Sequence, residues 1–187
     1  MSSKIAIRAG LEQFRRLPEI EPPLEYYAGR ITQKMSPRLS HSVIQGEMFL
    51  GLTTFIRPRK LGRVFMELRC TFGGSSIVPD LSYFREDRMP DPTSRVDRES
   101  VAFPPDLTIE IISPGQTVGE LKKKIRAALR GGVQLGWLID QDRRRAFVLR
   151  PGKKAEMLGP GDRLSGEGVI PGFLLAIDEM FGWLDGP

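Results

Sequence analysis

Apolar and polar positions change rhythm several times along this 187-residue chain, and each change predicts an element. Leu24-Glu25-Tyr26-Tyr27 and Arg30-Ile31-Thr32 flank Ala28-Gly29, which predicts a hairpin of two short strands about a glycine-containing turn. Residues Ser36 to Ser42 supply cap-type side chains for a helix running to about Ile56, where Ile44, Met48, Leu52 and Phe55 recur at helical spacing. Strands are expected over Gly62 to Phe72, Ile77 to Phe84 and Leu107 to Ile112, with the polar, proline-rich stretch from Glu86 to Pro105 as a mobile surface loop. Val118 to Arg130 reads as a second amphipathic helix closed by Gly131-Gly132. Gln134 to Asp140 and Arg145 to Arg150 then read as strands joined near Asp142. This order predicts an α/β fold with a mixed sheet, antiparallel at first and with a helical crossover later. Ahead of it, Ile5, Leu11, Phe14 and Leu17 alternate with charges until Pro18, Pro22 and Pro23. Residues 1–23 are therefore expected to form a helical arm packed on a single domain, 24–187.

Two acids interrupt strands that are otherwise apolar. Glu110 lies in the middle of Leu107-Thr108-Ile109-Glu110-Ile111-Ile112, and Asp80 follows Pro79 in the run from Ser76 to Phe84. Burying an unpaired carboxylate costs roughly several kcal/mol, so such residues are matched to a cation, a hydrogen-bond network or a metal. On neighbouring strands the pair could hold a hard divalent cation and leave positions open for water and phosphate. A nearby cation would complete such a site. In the second helix the stripe is Val118, Leu121, Ile125, Ala128 and Leu129, with Lys122 and Lys124 bordering its two sides, and spacing does not choose between them. The plainer readings are that Asp80 caps a turn, that Glu110 bridges to Arg69, and that Lys124 only snorkels from a helix.

Composition narrows the class. With 40% hydrophobic and 27% charged residues the chain suits one globular domain with a real core. The single cysteine, Cys70, excludes an intramolecular disulfide and a multi-cysteine zinc site; Cys70 and Trp137 read as core. No apolar run approaches the roughly 20 residues that cross a bilayer, and charges occupy the amino-terminal stretch, so a cytoplasmic location without membrane attachment is expected. A net charge of +5 favours anionic partners. Basic residues gather at Arg57-Pro58-Arg59-Lys60 with Arg63, at Lys122 to Lys124 with Arg126 and Arg130, and at Arg143 to Arg145 with Arg150, Lys153 and Lys154. The apolar segment from Phe173 to Leu184 either packs internally or forms a dimer surface.

Val78-Pro79-Asp80, Phe103 to Pro114, Lys124 eight residues before Gly132-Val133, Trp137-Leu138-Ile139-Asp140 and Ile170-Pro171-Gly172-Phe173 together resemble the Uma family of putative restriction endonucleases, from about Leu24 onward. The resemblance implies a restriction-endonuclease-like core with flanking helices, of the PD-(D/E)XK superfamily, and a metal-dependent endonuclease that hydrolyses phosphodiester bonds. Asp80 and Glu110 would be ligands of Mg²⁺ or Mn²⁺, with the Ile111 carbonyl as a third. The superfamily's usual lysine falls on Ile112, and the family pattern moves it to the following helix, which selects Lys124 over Lys122. His41 and Glu25 become accessory candidates. Ala128 stands where relatives often have Tyr, and Ala28 where an Asp commonly precedes the hairpin glycine. Nucleic acid, with DNA favoured, is the expected partner, and a homodimer the expected assembly. The rival reading is a catalytically silent nucleic-acid-binding or assembly protein that keeps the nuclease fold.

Overall fold

In the computed structural model, residues 7–8, 10–91, 93 and 100–185 are described, the first two by their backbone. Ile5 and residues 92 and 94–99 of the central loop, in which mobility was expected, lie outside the described residues. Strand β1 (Ile7–Arg8) leads to α1 (Leu11–Phe14), a single turn whose Phe14 packs on Tyr26 and Ile31. β2 (Leu24–Tyr27) and β3 (Arg30–Gln33) form the expected hairpin, in register Tyr27 to Arg30. Its two-residue turn has Ala28 at φ 50° and Gly29 at φ 75°, the left-handed pair that matches the twist of a hairpin.

Helix α2 (Leu39–Ile56) buries Ile44, Met48, Leu52 and Ile56. Ile56 rather than Phe55 completes the stripe, and Phe55 lies at the margin of the core. The helix is not capped by a serine side chain: its N-cap is Arg38, which makes no side-chain cap hydrogen bond.

The next two expected strands are each broken in two. β4 (Gly62–Met66) and β5 (Cys70–Phe72) replace the first; β6 (Ser75–Ile77) and β7 (Leu81–Arg85) replace the second. β4 pairs with β7 down to Met66↔Leu81, and β5 pairs with β6 from Cys70↔Ile77. Residues 67–69 and 78–80 thus form one corner, at which a long hairpin leaves one sheet for another. Glu67, opposite Asp80, takes a left-handed conformation, φ 51°, and the neighbouring Pro79 has no N–H for a ladder, so the corner is built into both strands. Asp80 sits in this corner instead of inside a strand.

β8 (Leu107–Ile111) lies between β7 and β9 (Leu135–Asp140), antiparallel to the first and parallel to the second. Helix α3 (Val118–Arg130) makes the crossover, as expected. A capping box fixes its start: Thr117 Oγ1 accepts from the Glu120 N–H at 3.2 Å, and Glu120 Oε2 accepts from the Thr117 N–H at 3.0 Å. β10 (Arg145–Leu149) and β11 (Glu156–Leu158) complete a six-stranded sheet ordered β11-β10-β9-β8-β7-β4. The other sheet is ordered β1-β3-β2-β6-β5.

One face of the six-stranded sheet carries Leu107, Ile109 and Ile111 against α2; the opposite face lies under α3 with Leu138, Phe147 and Leu149. β12 (Arg163–Ser165), β13 (Leu174–Ala176) and α4 (Ile177–Gly182) close the first face. Phe173, Leu175, Ile177, Met180 and Phe181 are buried in that core, so the carboxyl-terminal apolar segment packs internally. Cys70 and Trp137 are fully buried, and burial pushes the Cys70 thiol up to about 12. Among the described residues no helix is long and apolar enough to cross a membrane.

Candidate active site

The corner at residues 78–80 and the centre of β8 face each other. β7 and β8 pair as Leu81↔Ile109, Ser82↔Thr108 and Tyr83↔Leu107, a register that, extended one step, sets Asp80 opposite Glu110. Opposed residues of an antiparallel pair share a face. The main chain has already turned away at Pro79, and the Asp80 side chain takes the place of a ladder acceptor: Oδ2 accepts from the Ile111 N–H at 2.6 Å. Asp80 is thereby tied to the residue next to Glu110.

Each acid has its own ammonium partner. Lys124 Nζ lies 2.8 Å from Glu110 Oε1 and 2.9 Å from Oε2, and 2.6 Å from Glu25 Oε1 on β2. Glu25 in turn accepts from the Val78 N–H at 2.7 Å, which fastens the hairpin to the corner. Lys34, just after β3, places Nζ 2.8 Å from Asp80 Oδ1 and 3.2 Å from Glu67 Oε1. His41, in the first turn of α2, puts Nε2 3.2 Å from Asp80 Oδ2. Gln45, one helical turn later, donates to the Asp80 carbonyl at 3.0 Å. The structure therefore brings together all five expected residues: Asp80, Glu110, Lys124, His41 and Glu25.

Three buried carboxylates, Glu25, Asp80 and Glu110, share two buried ammonium groups. Burial pushes Glu110 up to about 8, helped by the negative charges of Asp80 and Glu25 and opposed by Lys124. For Asp80 burial acts upward too, but His41, Lys34 and their hydrogen bonds outweigh it and hold the acid well below the usual carboxylate range. Lys124 is raised: burial would lower it, and Glu110 and Glu25 together prevail. Asp80 Oδ1 and Glu110 Oε1 receive no well-directed hydrogen bond among the described residues, although an ammonium nitrogen is within 2.8 Å of each. Each carboxylate oxygen has a second lone pair beyond the one its ammonium faces. Glu67, whose side chain is 44% exposed, forms the outer edge of the cluster.

Sequence reasoning missed Lys34, Gln45 and Glu67. Gln45 lies one helical turn after His41, a spacing that could have found it, whereas Lys34 and Glu67 reach Asp80 only through the hairpin and the corner. Lys122, left open beside Lys124, points to the other side of α3 with Nζ 3.5 Å from the Phe147 ring centre. Arg69 does not bridge to Glu110; it binds Glu19 at 3.0 Å and the Leu24 carbonyl at 2.9 Å. Ile112, on which the sequence resemblance placed the usual lysine of the superfamily, packs under α3.

A family model, Uma2, described as "Putative restriction endonuclease", matches residues 11–178. The chain belongs to the Uma2 family. Every residue of the cluster lies inside the match. Among solved structures, the Uma2 chain is similar to a crystal structure of "a putative nuclease belonging to DUF820" from Anabaena variabilis ATCC 29413, at 39% identity and a TM-score of 0.83. That similarity covers 94% of this chain and 99% of the other, and the architecture is restriction-endonuclease-like. Comparison with curated proteins finds no match.

Proposed function

We propose that this Uma2 chain is a divalent-cation-dependent nuclease that hydrolyses phosphodiester bonds of nucleic acid, with DNA the expected substrate. The observation that carries this reading is the pairing of Asp80 with Glu110 through the Ile111 N–H, with Lys124 fixed on Glu110. Among the described residues no group of three or more His, Cys, Asp or Glu is set to enclose a metal. Two carboxylates, each with lone pairs beyond those its ammonium partner faces, still suit Mg²⁺ or Mn²⁺, since Mg²⁺ commonly takes one or two protein carboxylates and fills its shell with water and phosphate. Asp80 and Glu110 would hold the ion, with the Ile111 carbonyl as a third ligand. When bound, it would polarise the phosphodiester and make attacking water more acidic.

The remaining roles belong to the protein. The Ile111 N–H fixes the Asp80 carboxylate, and His41 and Lys34 together keep it ionised. Lys124 presents an ammonium, its charge favoured by Glu110 and Glu25, that orients the attacking water and offsets charge in the transition state. Glu25 keeps that ammonium from swinging away. Calorimetric titration with Mg²⁺ and Mn²⁺ tests the metal assignment: the wild type should show one specific site that Asp80→Asn and Glu110→Gln each lose. Absence of a site in the wild type would favour the silent, binding-only relative.

A further inference from the structure

The candidate site itself has little to attract a polyanion, since its two buried ammonium groups are already taken up by Glu25, Asp80 and Glu110. The chain nevertheless carries a net charge of +5, and the structure gathers part of it in one place. Where the end of α3 meets the turn after β10, a cleft of about 400 Å³ is lined by Arg126, Arg130, Arg150, Lys153 and Lys154 over Leu129, with no acid in its lining. Arg150 is engaged, 2.8 Å from Glu156 and 2.6 Å from Glu167. Arg126, Arg130, Lys153 and Lys154 are exposed and form no ion pair among the described residues. By contrast Arg143 and Arg145 lie against Asp140, and Arg144 pairs with Asp185.

The turn is pre-shaped. The Lys153 N–H donates to the Arg150 carbonyl at 3.2 Å across Pro151-Gly152, and Gly152 has φ 69°, which fits a turn with proline first and glycine second. Lys153 and Lys154 are thus held facing the two arginines of α3. The same helix carries Lys124 into the candidate site, and Arg130 is about 9 Å further along its axis at 1.5 Å per residue.

We infer that this cleft is a binding site for the sugar-phosphate backbone of nucleic acid, separate from the Asp80–Glu110 cluster. The inference deepens the nuclease reading and rests on it for the choice of nucleic acid over other polyanions. Four unpaired cations facing one cleft can each displace a counterion from a phosphate, so binding there should be strongly salt-dependent.

The test is fluorescence anisotropy with a labelled duplex in EDTA, where cleavage cannot occur, over a series of salt concentrations. The variant Arg126→Gln/Arg130→Gln/Lys153→Gln/Lys154→Gln is compared with Arg57→Gln/Arg59→Gln/Lys60→Gln/Arg63→Gln, which removes the same charge from another exposed cluster. The cleft variant should lose at least tenfold in affinity and about two or more from the slope of log Kd against log salt, while the other loses less than threefold. Unchanged thermal midpoints show that both remain folded. Wild-type affinity in the cleft variant, equal losses in both variants, or no duplex binding by the wild type would each overturn the inference. So would a loss confined to phosphatidylserine vesicles, which assigns the cleft to a membrane surface. Asp80→Ala separates the two readings: it removes cleavage but keeps duplex binding. Tight binding through the cleft without cleavage by the wild type would defeat the nuclease reading and leave the cleft standing.

Discussion

Replacing Lys124 by Met keeps an unbranched apolar stem and removes only the ammonium. Two buried carboxylates, Glu110 and Glu25, then lose their shared partner, whose contacts span 2.6 to 2.9 Å. Removing one member of a buried pair costs about 3–5 kcal/mol, because the charge left behind is uncompensated. That cost depends on pH. Without Lys124, the folded-state pKa of Glu110, already raised to about 8, rises further above its unfolded value. A carboxylate of this kind binds its proton preferentially in the folded state, so its stabilising share is full at low pH and is lost as pH rises through the folded pKa. Lys124→Met should therefore lose about 3–5 kcal/mol at pH 8 and less than about 2 kcal/mol at pH 5, read from urea midpoints in EDTA. Lys123→Met, on the exposed side of α3, should change stability by less than about 0.5 kcal/mol. A Lys124→Met loss under about 1 kcal/mol, or the same loss at both pH values, would refute the charge balance described for the cluster.

Wild-type stability should fall between pH 4.5 and about 8, where the unfolded state has given up the Glu110 proton that the folded state still holds, and Glu110→Gln should flatten that slope; urea midpoints across the range measure both. Asp80 acts with the opposite sign. Its folded pKa is depressed, so its share is present above pH 3.8 and lost in more acidic solution, and Asp80→Asn should reduce acid sensitivity there. Ala28 sits at φ 50°, where an L-residue is strained, so Ala28→Gly should raise stability by about 1 kcal/mol in thermal unfolding. At Gly136 on β9 an added Cβ would meet Ile125 Cγ2 at 2.3 Å, so Gly136→Ala should cost about 1–3 kcal/mol and Ile125→Ala in the same chain should relieve the clash.

Elements whose identity depends on local periodicity were legible in the sequence. The hairpin at Ala28-Gly29, the crossover helix carrying Lys124, and the apolar strand around Glu110 all lie close to where patterning put them. The corner was not legible. Apolar residues recur from Cys70 to Phe72 and from Ile77 to Phe84 whether or not the strands change sheet, and what breaks them is a left-handed Glu67 on one strand and Pro79 on the other. For the same reason Asp80 read as a strand residue, although it stands in a bend. Glu110 was conspicuous because an acid breaks an apolar run. Lys34 was not, because a lysine beside a hairpin is ordinary until long-range pairing brings it to Asp80. Choosing between Lys122 and Lys124 needed either family spacing or the structure, since both border the stripe of α3.

The central claim, that Asp80 and Glu110 serve divalent-cation-dependent hydrolysis of nucleic acid, is tested most directly by cleavage. Labelled DNA and RNA are incubated with the wild type, Asp80→Ala and Glu110→Ala, each with Mg²⁺, with Mn²⁺ and with EDTA. The account predicts cleavage by the wild type in either metal, none in EDTA, and a fall of at least a hundredfold in both variants. Equal cleavage by all three proteins, or wild-type cleavage undiminished in EDTA, would contradict it.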